Sequence, residues 1–331
     1  MTTRDYRALD LKDALALLRE PTPTLICCHA RPDADCLGSA FALSLWLSAM
    51  GSPARVVCAD EIPERLRFLV GDLQESILPE AIPAEFAGAR VVSVDTSSPS
   101  QMDRLFPLFG NRVSLMIDHH AKGEPYADHL IAPTAACAEI VQDLIALSGA
   151  DVPGKTAELL YAGISSDTGC FRYSNVTRDT HLHAAALIDT GIDAAELNRQ
   201  LFEVKSAEQM RADHAGFERL SFYREGRVAI VTFPLALRAE LGLADEHLGT
   251  LIDVARSVAG VQVAASLRET AEGVYRASLR ANTDLDVAAV AASLGGGGHR
   301  RAAGVTIYAD TMENALNKLL AAIGDMGGKL L

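Results

Sequence analysis

The sequence predicts an α/β protein: an N-terminal parallel-sheet domain with helices on both faces, followed by a smaller mixed α/β domain. Three observations lead there. Over about the first two hundred residues, short continuous apolar runs alternate with helical patterns, the mark of a parallel sheet. After residue 204 the pattern changes to a charged amphipathic stretch and then to strand-like runs, two of them separated only by Glu-Thr-Ala-Glu-Gly. The chain has 331 residues, more than the ~250–300 at which single cores stop growing.

Each element has a local reason. Candidate strands cover residues 24–28, 54–58, 89–94 and 113–117. They are continuous rather than alternating, as expected when helices cover both faces of a sheet. Helices are expected over 37–50 and 133–148, closed by Gly51 and Gly149, because a glycine just past a periodic run is a common stop. Further helices are expected over 155–164, 180–189 and 194–202. Residues 205–222 read as one amphipathic helix, a linker between domains 1–204 and 223–331. Beyond it, strands are expected at 227–233, 261–268 and 274–281, the last two as a hairpin.

The formal net charge of −13 argues against a binder of long duplex nucleic acid, which usually shows a broad basic surface. The longest apolar helix candidate, 36–50, carries three serines and falls short of the ~18–20 residues of a membrane span. The N-terminus lacks the apolar core of a secretory signal, so the expectation is a cytoplasmic protein. The six cysteines show neither metal-knuckle spacing nor a secreted framework and read as reduced thiols. Cys36 has carboxylates as neighbours, which do not lower a thiol pKa, and is not read as a nucleophile.

Three of the expected strands end in acid-bearing loops. The first runs into His29, Asp33 and Asp35, the third into Asp95, and the fourth into Asp118-His119-His120. In a parallel sheet such ends share one edge, where α/β proteins bind ligands. Taken singly, each residue reads as a cap, a turn or a chance pair. Gathered on one rim, the carboxylates need cations to stay ionised together. Asp and His donors without thiolates suit manganese, magnesium or a similar divalent ion better than a structural zinc. Two such ions ~3.5–4 Å apart serve phosphoryl hydrolysis.

His29-x-x-Pro-Asp33-x-Asp35, Asp95, Asp118-His119-His120 and Gly163-Ile-Ser-Ser-Asp167-Thr-Gly resemble the four ordered motifs of the DHH phosphoesterases. Gly295-Gly296-Gly297-Gly298-His299-Arg-Arg-Ala-Ala-Gly304 resembles the signature of their associated C-terminal domain. The subgroup it is most similar to is the NrnA-type enzymes, which degrade very short oligonucleotides and dephosphorylate 3′-phosphoadenosine 5′-phosphate. Ala34 and Cys36 depart from the glycine and alanine common there. The resemblance implies that His29, Asp33 and Asp95 bind one ion. Asp35, Asp95, His119 and Asp167 would bind the second, with manganese expected and magnesium or cobalt as substitutes. It further implies that His120 contacts the phosphoryl or leaving group and that Asp118 orients a ligating imidazole.

The glycine run permits close backbone approach to a ligand, and Gly296, Gly297 and Gly298 with His299 are expected to hold an anion. Arg268 and Arg280, near strand ends, are expected to fork onto phosphate. His181 and His183 read as structural. The expected function is hydrolysis of short oligonucleotides and small phosphorylated nucleotides. Cyclic-dinucleotide or linear-dinucleotide hydrolysis is the alternative, and a non-catalytic nucleotide sensor is the alternative of another class. Oligomeric state stays open, a homodimer included.

Overall fold

A computed structural model describes residues 5–71, 73, 78–120 and 123–324, and the chain divides into two units, Met1–Val204 and Lys205–Leu331. The first holds five strands: β1 (Thr24–Cys27), β2 (Ala54–Val57), β3 (Arg90–Val94), β4 (Val113–Asp118) and β5 (His129–Ile131). All pair in parallel in the order β2-β1-β3-β4-β5. Its helices are α1 (Leu11–Arg19), α2 (Ala34–Ala49), the short α3 (Arg67–Val70) and α4 (Leu105–Phe109), α5 (Cys137–Ser148), α6 (Gly154–Asp167), α7 (Arg178–Ile188) and α8 (Ala194–Phe202).

Continuous apolar strands follow from two-sided burial. Ile26, Val92, Val94, Leu115 and Ile117 pack with the apolar sides of α2, α5 and α6. Their neighbours Leu25, Cys27, Val91 and Met116 pack oppositely with Phe86, Met102, Leu105 and Phe109. Two glycines let α2 and α6 close on each other. A methyl group on Gly38 would run into the carbonyl of Leu159, and one on Gly163 would lie 2.7 Å from Asp35 Oδ1.

The helix expected from residue 133 begins only at Cys137, after an extended Ala136. The helix expected to end at 164 continues to Asp167. Helix α1 and strand β5 escaped the sequence reading.

The second unit is a six-stranded mixed sheet. Its strands are β6 (Leu220–Tyr223), β7 (Val228–Phe233), β8 (Val263–Ala271), β9 (Val274–Ala281), β10 (Gly297–His299) and β11 (Ala302–Tyr308), in the order β10-β11-β9-β8-β7-β6. Strands β8 and β9 form the expected hairpin; β7 and β8 are parallel. Its helices are α9 (Ala207–Glu218), α10 (Leu235–Glu240), α11 (Leu251–Arg256), α12 (Val287–Ser293) and α13 (Met312–Gly324). Residues 205–222 are therefore not one helix. Ser206 and Gln209 close a reciprocal cap at the start of α9, the helix stops at Glu218, and 220–223 pair antiparallel with β7. Ala212 and Ala215 of α9 are buried with Val231, Phe233, Leu251 and Val254, so this helix packs into the core of the second unit. Among the described residues, no helix is long and apolar enough to cross a membrane.

Candidate metal centre

Strands β1, β3 and β4 are adjacent and parallel, so their C-terminal ends deliver His29, Asp95 and Asp118-His119-His120 to one edge. Asp95 follows β3 directly and has φ 53°, the left-handed region that few residues other than glycine adopt. Its amide donates to the Ile117 carbonyl at 2.9 Å, which ties it to β4.

Asp33 is the N-cap of α2. Its Oδ1 accepts from the amides of Asp35 (3.1 Å) and Cys36 (3.0 Å). Asp35, in the first turn, is fully buried. It accepts from the amides of Cys137 at 2.7 Å and Ala138 at 2.9 Å, and from the Ser39 hydroxyl at 3.3 Å. Helix α5 has an alanine at its own N-cap position, so a carboxylate from α2 satisfies its first amides and meets the positive end of its dipole. Asp167 arrives from the last turn of α6.

The resulting distances are short. His29 Nε2 lies 3.5 Å from Asp95 Oδ2 and 3.8 Å from Asp33 Oδ1. His119 Nε2 lies 3.4 Å from Asp95 Oδ1 and 3.3 Å from Asp167 Oδ2. The Nδ1 of His29 faces the Ala30 carbonyl at 2.9 Å, and that of His119 faces the Thr134 carbonyl at 3.3 Å. A carbonyl only accepts, so Nδ1 donates in both rings, which leaves each Nε2, on the carboxylate side, as the nitrogen that could ligate a cation. His120 differs. Its Nδ1 bonds Asp118 Oδ1 at 2.7 Å, so the imidazole that buried Asp118 orients is that of His120, not the expected ligand His119.

Asp95 Oδ1 and His119 Nε2 are buried and have no hydrogen-bond partner. Leaving such groups unsatisfied costs several kcal/mol, on the order of 2–7, unless something binds them. A divalent cation fits these donors. Among the described residues, three sets have their ligand atoms within 4.8 Å of one another: His29/Cys36/Asp95, Asp95/His119/His120 and Asp35/His119/Asp167.

Without a cation, burial followed by the charge of Asp95 raises the Asp35 carboxyl well above its usual range. Burial, then Asp35 and Asp33, does the same to Asp167. For His119, burial works downward, but Asp95, Asp35 and Asp167 outweigh it and raise the imidazole to about 10. At neutral pH the cation-free site thus holds protons that binding must displace. Manganese affinity should therefore rise with pH, by about tenfold per pH unit for each proton released between roughly pH 6 and 8. Calorimetry in buffers of different ionisation enthalpy checks this, and pH-independent binding would remove the argument.

In the second unit, Arg276, Ser278 and Arg280 alternate with the buried Tyr275, Ala277 and Leu279 along β9. Arg268 lies directly across from Arg276, Ser266 across from Ser278, and Ala302 and Gly304 on β11 across from Arg280 and Ser278. One face thus gathers three guanidinium groups over a floor of small residues. Arg268 is buried, and its Nη1 lies 3.2 Å from Asp245 Oδ1, so it is committed at least in part to that carboxylate.

The glycine run is not a free loop. The amides of Gly295 and Gly296 close α12 on the carbonyls of Ala292 and Ala291, and Gly297–His299 is strand β10, paired with β11. A methyl group on Gly296 or Gly298 would strike the backbone of β11, whereas Gly297 faces open space. The His299 side chain lies outside the described residues.

The DHH family N-terminal domain matches residues 23–164, and the DHHA1 domain matches residues 226–325. A "Bifunctional oligoribonuclease and PAP phosphatase NrnA" of Thermus thermophilus is 31% identical over 303 residues, covering 91% of this chain and 89% of that protein. The chain belongs to the DHH family. The protein of the same name from Bacillus subtilis is 27% identical, with 93% of this chain and 94% of that one covered. The fold matches an exopolyphosphatase-related protein from Bacteroides fragilis, with TM-score 0.88, 23% identity and 95% of both chains covered.

In this DHH chain, sequence reasoning passed over three residues near the sites. Cys36 was set aside because only its neighbours in sequence were visible. Arg276 carries no signal until strand register puts it opposite Arg268. Gly163 lies in a quoted motif, but its closeness to Asp35 appears only when α6 packs on α2.

Proposed function

We propose that the chain is a two-metal phosphoesterase that hydrolyses short oligonucleotides and 3′-phosphoadenosine 5′-phosphate. The observation that carries this reading is the Asp95 carboxylate, whose two oxygens face His29 and His119 separately, so that it is common to two adjacent donor groups. His29, Asp33 and Asp95 hold one ion; Asp35, Asp95, His119 and Asp167 hold the second, with manganese as the activating metal. Two such cations supply Lewis acidity for attack of water on phosphorus. Asp118 holds His120 through Nδ1 so that its Nε2 can move a proton at the leaving oxygen. Arg280, Gly297 and His299 position a substrate phosphate, with Arg268, Gly296 and Gly298 shaping the surface behind them.

The relatives named as oligoribonucleases and PAP phosphatases support this substrate class. The direct test is turnover with manganese on a panel from dinucleotides to long RNA, with 3′-phosphoadenosine 5′-phosphate and cyclic dinucleotides included. Rates should be highest on the shortest linear chains. A faster rate on cyclic dinucleotides would reassign the substrate, and tight binding without turnover would make the protein a sensor.

Arg280→Ala should lower kcat/KM about tenfold to a hundredfold, since a charge-assisted phosphate contact is worth ~1.5–3 kcal/mol. Manganese content should not change. The loss should be larger on nucleotides with a distal phosphate than on bis-p-nitrophenyl phosphate. Equal losses on both substrates would exclude Arg280 as a phosphate contact.

A further inference from the structure

The metal centre contains one donor of a different chemical kind. Cys36 is completely buried in the first turn of α2, and its Sγ lies within 4.8 Å of both a His29 ring nitrogen and an Asp95 carboxylate oxygen. The sulfur is held in place from two sides. It accepts from the His29 amide at 3.4 Å and lies 3.7 Å from the Val94 carbonyl. The Cys36 amide is in turn fixed by Asp33 Oδ1 at 3.0 Å. The sulfur therefore sits between the end of β3 and the loop after β1, on the side of the centre that His29 and Asp33 form. The Asp95 carboxylate it approaches is itself 97% buried and keeps one oxygen without a hydrogen-bond partner.

We propose that Cys36 is a ligand of the first cation position, making it a mixed nitrogen–oxygen–sulfur site that takes a thiophilic divalent ion, of the zinc or cobalt class, in preference to magnesium. This rests on the metal-centre reading above and adds a selectivity to it. Carboxylate and water oxygens suit magnesium and manganese, imidazole is intermediate, and a thiolate favours softer ions. On binding, the Cys36 thiol gives its proton to solvent and a metal–sulfur bond forms in place of the sulfur–hydrogen bond. No oxidant or reductant is involved. His29, Asp33 and Asp95 complete the set.

The test uses the full chain stripped of metal and titrated with cobalt, zinc and manganese. Cobalt should produce a sulfur-to-cobalt charge-transfer band in the near ultraviolet. Cys36→Ala and Cys36→Ser should bind cobalt without that band, which separates ligation from any effect on folding. Zinc affinity should fall on the order of tenfold to a hundredfold in both variants, while manganese affinity should change by less than about threefold. If cobalt binds the unaltered chain and no charge-transfer band appears, or if zinc affinity is equal with and without the sulfur, Cys36 is not a ligand. If the unaltered chain binds no cobalt, or if Asp95→Asn binds it unchanged, the metal centre itself is misplaced and the proposal goes with it.

Discussion

Asp95→Asn should empty the centre and lower turnover about a thousandfold or more, equivalent to ~4 kcal/mol of transition-state stabilisation. Asparagine is the informative replacement because it tolerates the left-handed backbone that Asp95 adopts, so the β3 turn survives. What it loses is the charge shared between His29 and His119. It also points amide hydrogens where one of those lone pairs needs a cation. Manganese per chain by elemental analysis and kcat on a dinucleotide are the two measurements. Arg178→Ala, at an exposed position on α7 beside its ion-pair partner Asp179, serves as the control and should leave both unchanged. Full metal content in Asp95→Asn, with turnover within about threefold of the unaltered chain, would place the centre elsewhere.

Chelation should abolish hydrolysis and also destabilise the first unit. Without cations, Asp33, Asp35, Asp95 and Asp167 face one another, and Asp35 and Asp167 are pushed toward their protonated forms by burial and by that crowding. An ion present at a hundred times its Kd adds about 2.7 kcal/mol to the folded state, so its removal should lower Tm by about 5–10 °C. Manganese should restore both properties better than calcium, whose longer and more numerous oxygen bonds fit a compact imidazole-bearing site poorly. Calorimetric scans with and without chelator, alongside a hydrolysis assay, decide the matter. Full activity in excess chelator with no metal bound would end the two-metal reading.

Four strands of the first sheet were legible in sequence because they are buried on both faces, and Leu25, Ile26 and Cys27 show that pattern as an unbroken apolar run. The stretch from 205 to 222 misled for the opposite reason. Its last residues form an edge strand with half-exposed and exposed positions, and only pairing with β7 tells such a strand from the end of an amphipathic helix. The glycine run was legible as important, and the structure adds a packing cause to the expected anion contact. Gly296 and Gly298 are required because β11 passes too close for any side chain, and that closeness belongs to a neighbouring strand.

By itself the sequence determined that Asp and His residues gather on one rim of the first sheet, since a strand followed by Asp or His fixes a direction locally. It also determined the family. The tertiary structure alone decided how the side chains meet: Asp118 serves His120, Asp35 caps a helix that begins 102 residues later, Arg268 meets Asp245, and Cys36 lies beside His29 and Asp95. Sequence spacing encodes side-chain direction over a turn or a pair of strand residues. Which carboxylate meets which imidazole depends on strand register and helix packing across a hundred residues of chain, and those are set by burial of the whole core.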